Sequence, residues 1–276
     1  LKGGILKGEI LLNMDTEEDD EIDIGCAGGI DVTATRSYNE EETPEGSVGY
    51  YITVKGLNGG HSGMDIHKGL GNTNKIMNRL LFDAFENFGL QISEINGGSL
   101  RNAIPRESVA KVIVAQMYDE AYVFDMQEII NAIKTEFKTT EPNLAIEIVK
   151  SELPSKVMDL GVQEGIIRSI YAAHNGVYRM SADMEDLVET SNNLARIIIK
   201  DGEITIGCLT RSSVETSKFD LANALRSAFE LCGCEVTLAG SYPGWTPNVK
   251  SEILDVLVSI YEKQNNEKPK VVACHA

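Results

Sequence analysis

Residues 9–15, Glu-Ile-Leu-Leu-Asn-Met-Asp, form a short, nearly continuous apolar run that ends on an acid. Continuous rather than alternating hydrophobicity predicts a strand buried on both faces, as in a parallel α/β sheet. Ligand and metal groups in such sheets sit at the carboxyl ends of strands, and Asp15 stands at that position. From about residue 31 the pattern changes. Residues 47–57 alternate like a half-buried strand, and 73–88 repeat with the period of a helix. Strand-like runs follow near 90–100 and 106–116, then a helix over 119–138 and a strand over 143–150. The order β-α-β-β-α-β is that of a ferredoxin-like unit.

A second pass repeats it. A helix over 160–174 stops at His174-Asn175-Gly176, a helix-ending signal. Strands over 197–200 and 203–211 flank the turn Asp201-Gly202. A helix near 217–232 ends at Gly233, and a strand over 235–240 follows. Residues 31–240 therefore divide into two ferredoxin-like halves, about 45–155 and 156–240, the second less complete in its first strand. After the loop 241–247 an amphipathic helix over 251–263 and a strand over 271–274 return to the α/β character of the start. The expected layout is an α/β domain in two pieces, 1–30 and 241–276, with parallel-sheet strands, flanking an inserted α+β lid over 31–240.

Composition narrows what such a chain can do. At 276 residues it can hold two domains, at roughly 150 residues each. A formal charge of −17 argues against nucleic acid and anionic membrane surfaces, both of which need clustered Lys and Arg. No apolar run approaches the ~20 residues that span a bilayer, and the start lacks a signal-peptide layout, so a cytoplasmic location is expected. Five cysteines in a chain of this size make no disulfide framework. Cys232-Gly233-Cys234 has neither the redox C-x-x-C spacing nor that of a zinc knuckle, and its plain reading is a pair of free thiols in a reducing compartment. The chain opens at Leu1 without methionine and stops at Ala276 directly after an apolar run. Both ends are expected to be cuts.

Few residues stand out as chemistry. The acidic stretch 15–21 lacks the glycine and closing glutamate of an EF-hand loop, and most of it fits a solvated loop. Asp15 differs, because a buried strand would deliver it to the sheet edge, and a buried carboxylate is costly unless paired or metal-bound. In Gly59-Gly60-His61-Ser62-Gly63 the glycines free the backbone and leave His61 clear of its neighbours; an incidental histidine in a glycine-rich connector fits equally. His67, six residues on, has no such setting. Residues 100–107 place Arg101 and Asn102 beside a proline at a strand edge. Arg211 is either an anion clamp, by the two-pronged fit of guanidinium to carboxylate, or a surface ion-pair partner. Gly25-Cys26-Ala27-Gly28-Gly29 is neither a phosphate loop nor a dinucleotide fingerprint. Cys274 and His275, as neighbours in a strand, point to opposite faces and make no thiol-protease pair.

Taken in order, the run 11–15, Gly25-Cys26-Ala27-Gly28-Gly29, Gly59-Gly60-His61-Ser62-Gly63 with Ile66-His67 and Gly69-Leu70-Gly71-Asn72, the segment 100–107, and Tyr242-Pro243-Gly244-Trp245 resemble the aminoacyl-histidine dipeptidases. These Xaa-His, or cytosolic non-specific, enzymes belong to the two-zinc exopeptidases that also include carnosinases and aminoacylases. The resemblance implies a catalytic α/β domain with an inserted lid, hydrolysing short peptides. Two zinc ions, with Mn or Co as substitutes, would share an aspartate and a water, and a glutamate would act as general base. It implies that Asp15 is a metal ligand, that His61 bonds the oxyanion at the scissile carbonyl, and that Asn102 and Arg211 hold the substrate's free carboxylate. The family's His-x-Asp, bridging aspartate and Glu-Glu pair would lie upstream of Leu1 and its last metal histidine downstream of Ala276. His275 matches a family position that is not that ligand. This polypeptide alone is accordingly expected to bind zinc poorly and to hydrolyse nothing. The resemblance leaves the oligomeric state open between a homodimer paired through lid edge strands, as in many relatives, and a doubled lid that satisfies that edge within one chain. Two other readings are a stand-alone lid or dimerisation module without chemistry, and a related hydrolase of N-acyl amino acids or carboxypeptidase substrates.

Overall fold

Alternating strands with one apolar face need helices on that face only, and the chain meets this demand twice over. The structure, a computed structural model, describes residues 7–14 and 18–276. Among these, nine strands form one sheet: β1 (Gly28–Ser37), β2 (Ser47–Lys55), β3 (Gln91–Gly97), β4 (Ser108–Ala115), β5 (Ala145–Ser151), β6 (Gly176–Met180), β7 (Val188–Lys200), β8 (Glu203–Ser212) and β9 (Glu235–Tyr242). The helices are α1 (Thr73–Phe88), α2 (Asp119–Phe137), α3 (Leu160–Ala172), α4 (Glu215–Glu230) and α5 (Glu252–Asn265). Along the sheet the order is β9-β1-β8-β7-β3-β4-β2-β5, with β6 beside the start of β7, and every pairing is antiparallel.

Residues 47–151 follow the connectivity β2-α1-β3-β4-α2-β5. A second set, β1-α3-β7-β8-α4-β9, has the same connectivity and the same spatial order of strands. Its first strand is therefore β1, upstream of the whole first set, and not a strand between 156 and 240. Sequence order hid this, because ladder partners such as Ile30 and Thr210 meet in space regardless of their separation in the chain. The connections into and out of the first set are clasped together, Glu40–Glu42 pairing with Lys156–Met158.

The two sets meet at β3 and β7, where Ile95, Asn96 and Gly97 pair with Ile199, Ile198 and Ile197. Gly98 follows at φ 71°, and a Cβ there would lie 1.9 Å from the carbonyl oxygen of Ala195. Asn72 strengthens the junction. Its side chain caps α1 by accepting from the amides of Asn74 and Lys75, and donates to the Leu194 carbonyl of β7 at 3.1 Å. One apolar cluster runs through both sets, from Ile52, Leu80 and Val112 to Ile166, Ile206 and Phe229.

Outside the sheet, Glu21–Cys26 pairs in parallel with Lys270–Cys274. Helix α5 leads into this pair and buries only Leu254. The strand expected over 9–15 is not formed: residues 9–14 are irregular, with Leu11 79% and Met14 88% exposed. Among the described residues no strand lies alongside to take up their backbone hydrogen bonds, so the apolar run alone builds no ladder. Asp15 lies outside the described residues.

Candidate active site

His61 sits in a two-residue strand, Gly60–His61, paired with Ala103–Ile104. The loop that follows fixes its ring. The amides of Gly63 and Met64 donate to Nδ1 at 3.3 and 3.2 Å, so the ring proton belongs on Nε2. The His61 amide donates to Asp65 Oδ2 at 2.7 Å. Burial, followed by the charge of Arg211, holds the imidazole below its usual pKa, with Asp65 partly opposing. His61 is thereby a neutral ring with its N–H donor on Nε2.

Arg211 ends the long strand β8 and is only 5% exposed. Its Nε contacts Ser62 Oγ at 3.4 Å and one terminal nitrogen donates to the Tyr242 hydroxyl at 3.0 Å. Among the described residues no carboxylate lies within ion-pair distance of it. A buried guanidinium met among the described residues by hydroxyls alone is suited to a ligand anion. Tyr242 is itself held tightly. It lies over Gly29, where a Cβ would come within 2.6 Å of its hydroxyl, and Gly28 packs on the backbone of Gly244. The fully buried Lys218 donates to the Tyr242 carbonyl at 2.6 Å and pairs with Glu215. The glycines of 25–29 thus form a seat for 242–245.

Ser62 joins the pieces. It is buried, touches Arg211 through its hydroxyl, and donates its amide to the Asn102 carbonyl at 2.8 Å. Asn193 clamps the same loop by donating to the carbonyls of Arg101 and Ala103, and the Asn102 side chain is exposed. His61, Asn102 and Arg211 therefore share one neighbourhood. Arg101 does not join them: it bonds the Cys208 carbonyl and Thr33 and lies 3.6 Å from Asp31, a structural role. His67 is exposed, and lines a cavity of about 190 Å³ with Gly63, Asp186 and His275.

Three contributors were not legible as site residues. Ser62 was only a neighbour of His61, and Tyr242 only part of a turn-rich segment. His275 is buried and bonds Ser191 Oγ through Nε2 at 2.8 Å; burial, then the charge of Arg211, pushes its pKa down to about 4. Behind them lies a buried polar row, Thr190, Ser191, Asn192 and Asn193 on β7 facing Thr210, Arg211 and Ser212 on β8. Four consecutive polar residues, 190–193, were the available signal. They resemble a loop until β8 is seen beside them.

As for a metal, no three His, Cys, Asp or Glu side chains converge among the described residues. These residues by themselves do not fit a two-zinc centre.

Known proteins resemble the chain in sequence and in fold. Residues 46–144 match the model of a peptidase dimerisation domain. Over its full length the chain is 36% identical to the cytosol non-specific dipeptidase of Escherichia coli K12, and spans 57% of that protein. It superposes on the crystal structure of aminoacylhistidine dipeptidase from Vibrio alginolyticus with a TM-score of 0.96 at 36% identity, covering 100% of this chain and 56% of that one. The chain thus shares the mixed α/β fold of a little over half of these dipeptidases. Among the described residues no helix is long and apolar enough to cross a membrane.

Proposed function

We propose that the protein carrying this chain hydrolyses dipeptides of the aminoacyl-histidine type, and that the chain supplies the grip on substrate. The observation that carries this is Arg211, a buried guanidinium whose partners among the described residues are hydroxyls and which is tied through Ser62 to the His61 loop. In this reading Arg211 binds the free carboxylate of a short peptide, with Asn102 beside it, and the carboxylate completes the charge balance. His61 donates its Nε2–H to the scissile carbonyl oxygen as negative charge develops there. A site that needs a terminal carboxylate close to the cleaved bond accepts very short peptides and rejects long ones.

The resemblance assigns activation of the water to two zinc ions, with Asp15 as one ligand. The described residues form no such centre. In this reading residues 31–240 are the lid, supported by a continuous sheet that begins slightly earlier, at Gly28, and the parallel pair with α5 is part of a second unit. A cytoplasmic location and a homodimer belong to the same reading. Because β3 pairs with β7 inside the chain, the open sheet edges among the described residues are β5, β9 and the short β6.

The test is kinetic, on the whole protein with Zn²⁺ or Mn²⁺ and a panel of Ala-His, its C-terminal amide and N-acetyl-histidine. Ala-His should be preferred over its amide by about tenfold or more in kcat/KM, a difference of about 1.4 kcal/mol. His61→Ala should lower kcat by about 10²–10³ with little change in KM. Equal cleavage of amide and acid would remove Arg211 from its role, and faster cleavage of the N-acetyl compound would move the enzyme to another substrate class.

A further inference from the structure

The thiols of Cys232 and Cys234 lie 3.6 Å apart, at the end of α4 and before β9. Gly233 between them adopts φ 79°, which turns the two side chains to the same side. The guanidinium of Arg36 lies over Gly233 and donates to the Cys232 carbonyl. Cys232 is half-buried and next to the exposed Leu231, whereas Cys234 is buried. Around Cys232 Sγ stand the Ser169 hydroxyl at 3.3 Å and the Phe229 carbonyl at 3.0 Å. The geometry is that of a partly buried sulfur at a chain turn with a second, buried sulfur in reach behind it.

From this arrangement we infer that Cys232 and Cys234 form a reactive dithiol, which a low-molecular-weight disulfide such as oxidised glutathione converts reversibly into an intramolecular disulfide. Cys232 attacks first. Its thiolate bonds to one sulfur of oxidised glutathione, that S–S bond breaks, and one glutathione leaves as thiolate. Cys234 then gives up its proton and attacks Cys232 Sγ. The mixed disulfide breaks, and the second glutathione leaves. Two protein thiols are oxidised, one small disulfide is reduced, and the two protons end on the two glutathione thiolates.

The surroundings choose the attacker. A bond from the Cys234 thiol, opposed by burial and helped by Ser169 and Arg36, lowers the pKa of Cys232, while the same bond and burial push Cys234 upward. Burial pushes Cys208 up to about 12 and takes it out of contention. The competing pair is Cys26 and Cys274, opposite each other in the parallel ladder, and burial raises Cys26.

The experiment is incubation of the native protein in glutathione buffers of graded oxidation, followed by alkylation, digestion and mass spectrometry. The expected product has lost two hydrogens within the peptide holding residues 232 and 234, reversed by dithiothreitol. Cys234→Ser should trap glutathione on Cys232, and Cys232→Ser should show neither product. In the reduced native protein, Cys232 should be alkylated at pH 7 about tenfold or more faster than Cys208. The inference is overturned if Cys26 and Cys274 oxidise first while Cys232 and Cys234 remain alkylatable. Absence of an adduct on Cys232 in a folded Cys234→Ser protein overturns it equally. The wild-type peptide map decides the matter if either variant fails to fold.

Discussion

The two strand sets share a connectivity and differ in what they bury at the ends of their strands. In the first set the inward positions are apolar along the strand, as with Tyr50, Ile52 and Val54 on β2 or Ala110, Val112 and Val114 on β4. In the second, β7 and β8 are apolar at one end, through Leu194, Ile197, Ile199, Ile204 and Ile206, and polar at the other. That polar end is fully bonded in part: Thr190 Oγ1 meets Ser212 and Ser217, each at 2.8 Å, and Thr210 donates to Asn192. A hydroxyl network of this kind contributes less to stability than packed aliphatic chains would; the Arg211 guanidinium beside it is held by the hydroxyls of Ser62 and Tyr242. The lesson is a division of labour. The first set supplies packing and two loops, those of His61 and Asn102, while the second supplies the buried cation and its supports.

The largest effect should follow from removing that cation. Arg211→Ala in the whole protein is expected to lower kcat/KM for dipeptides by about 10²–10³, or about 3–4 kcal/mol, because a charge-assisted contact to the substrate is lost. Arg211→Lys should restore only part, since an ammonium lacks the planar fork. Lys111→Ala, on the first set, should change kcat/KM by less than about twofold. If Lys111→Ala and Arg211→Ala were equally damaging, the proposed asymmetry between the two sets would be gone.

A second expectation concerns acid. His275, packed against Ser191 of the polar end, has its pKa held at about 4 when folded, below the ordinary 6.5. As pH falls the unfolded chain binds the proton first. The stability contributed by the neutral ring is therefore complete above pH 6.5 and is lost progressively down to about 4. That interval corresponds to about 3 kcal/mol. Urea titrations from pH 7 to 4 should show the decline, and His275→Gln should flatten it. An unchanged slope in the variant would assign the acid sensitivity to other groups.

Much of this was legible from the chain and some was not, for identifiable reasons. The periods of 47–57 and 73–88 led to β2 and α1 because each buries a single face. Asp201-Gly202 marked the β7–β8 turn because both residues take positive φ. The polar residues 190–193 concealed the first half of β7, since a buried polar strand has no hydrophobic period to detect. The apolar run at 9–14 misled for the converse reason: hydrophobicity proposes a strand, but only a neighbouring strand makes one. His61 and Arg211 could be singled out by glycine context and by position at a strand end. Ser62 and Tyr242 could not, because their contribution is contact with Arg211, which the linear order does not contain.

The smallest expected effect tests whether the two sets are one body. Gly98 sits at their junction with φ 71°, and an added Cβ would press on the Ala195 backbone, which cannot rotate away. Gly46 has nearly the same backbone, φ 72°, and nothing within 4 Å of where its Cβ would lie. Gly46→Ala therefore measures the left-handed strain alone, expected at about 1 kcal/mol. Gly98→Ala adds a backbone displacement between β3 and β7, and should cost about 2–3 kcal/mol in total. In thermal unfolding that corresponds to a drop of about 4–12 °C for a chain this large, against about 2–4 °C for the control. If the junction is as close as the pairing of Gly97 with Ile197 implies, the excess in Gly98→Ala should appear as reduced amide protection on both sides of it, in β3 and in β7. Equal losses in the two variants would mean that the sets slide past each other, and that the continuous sheet is two sheets in contact.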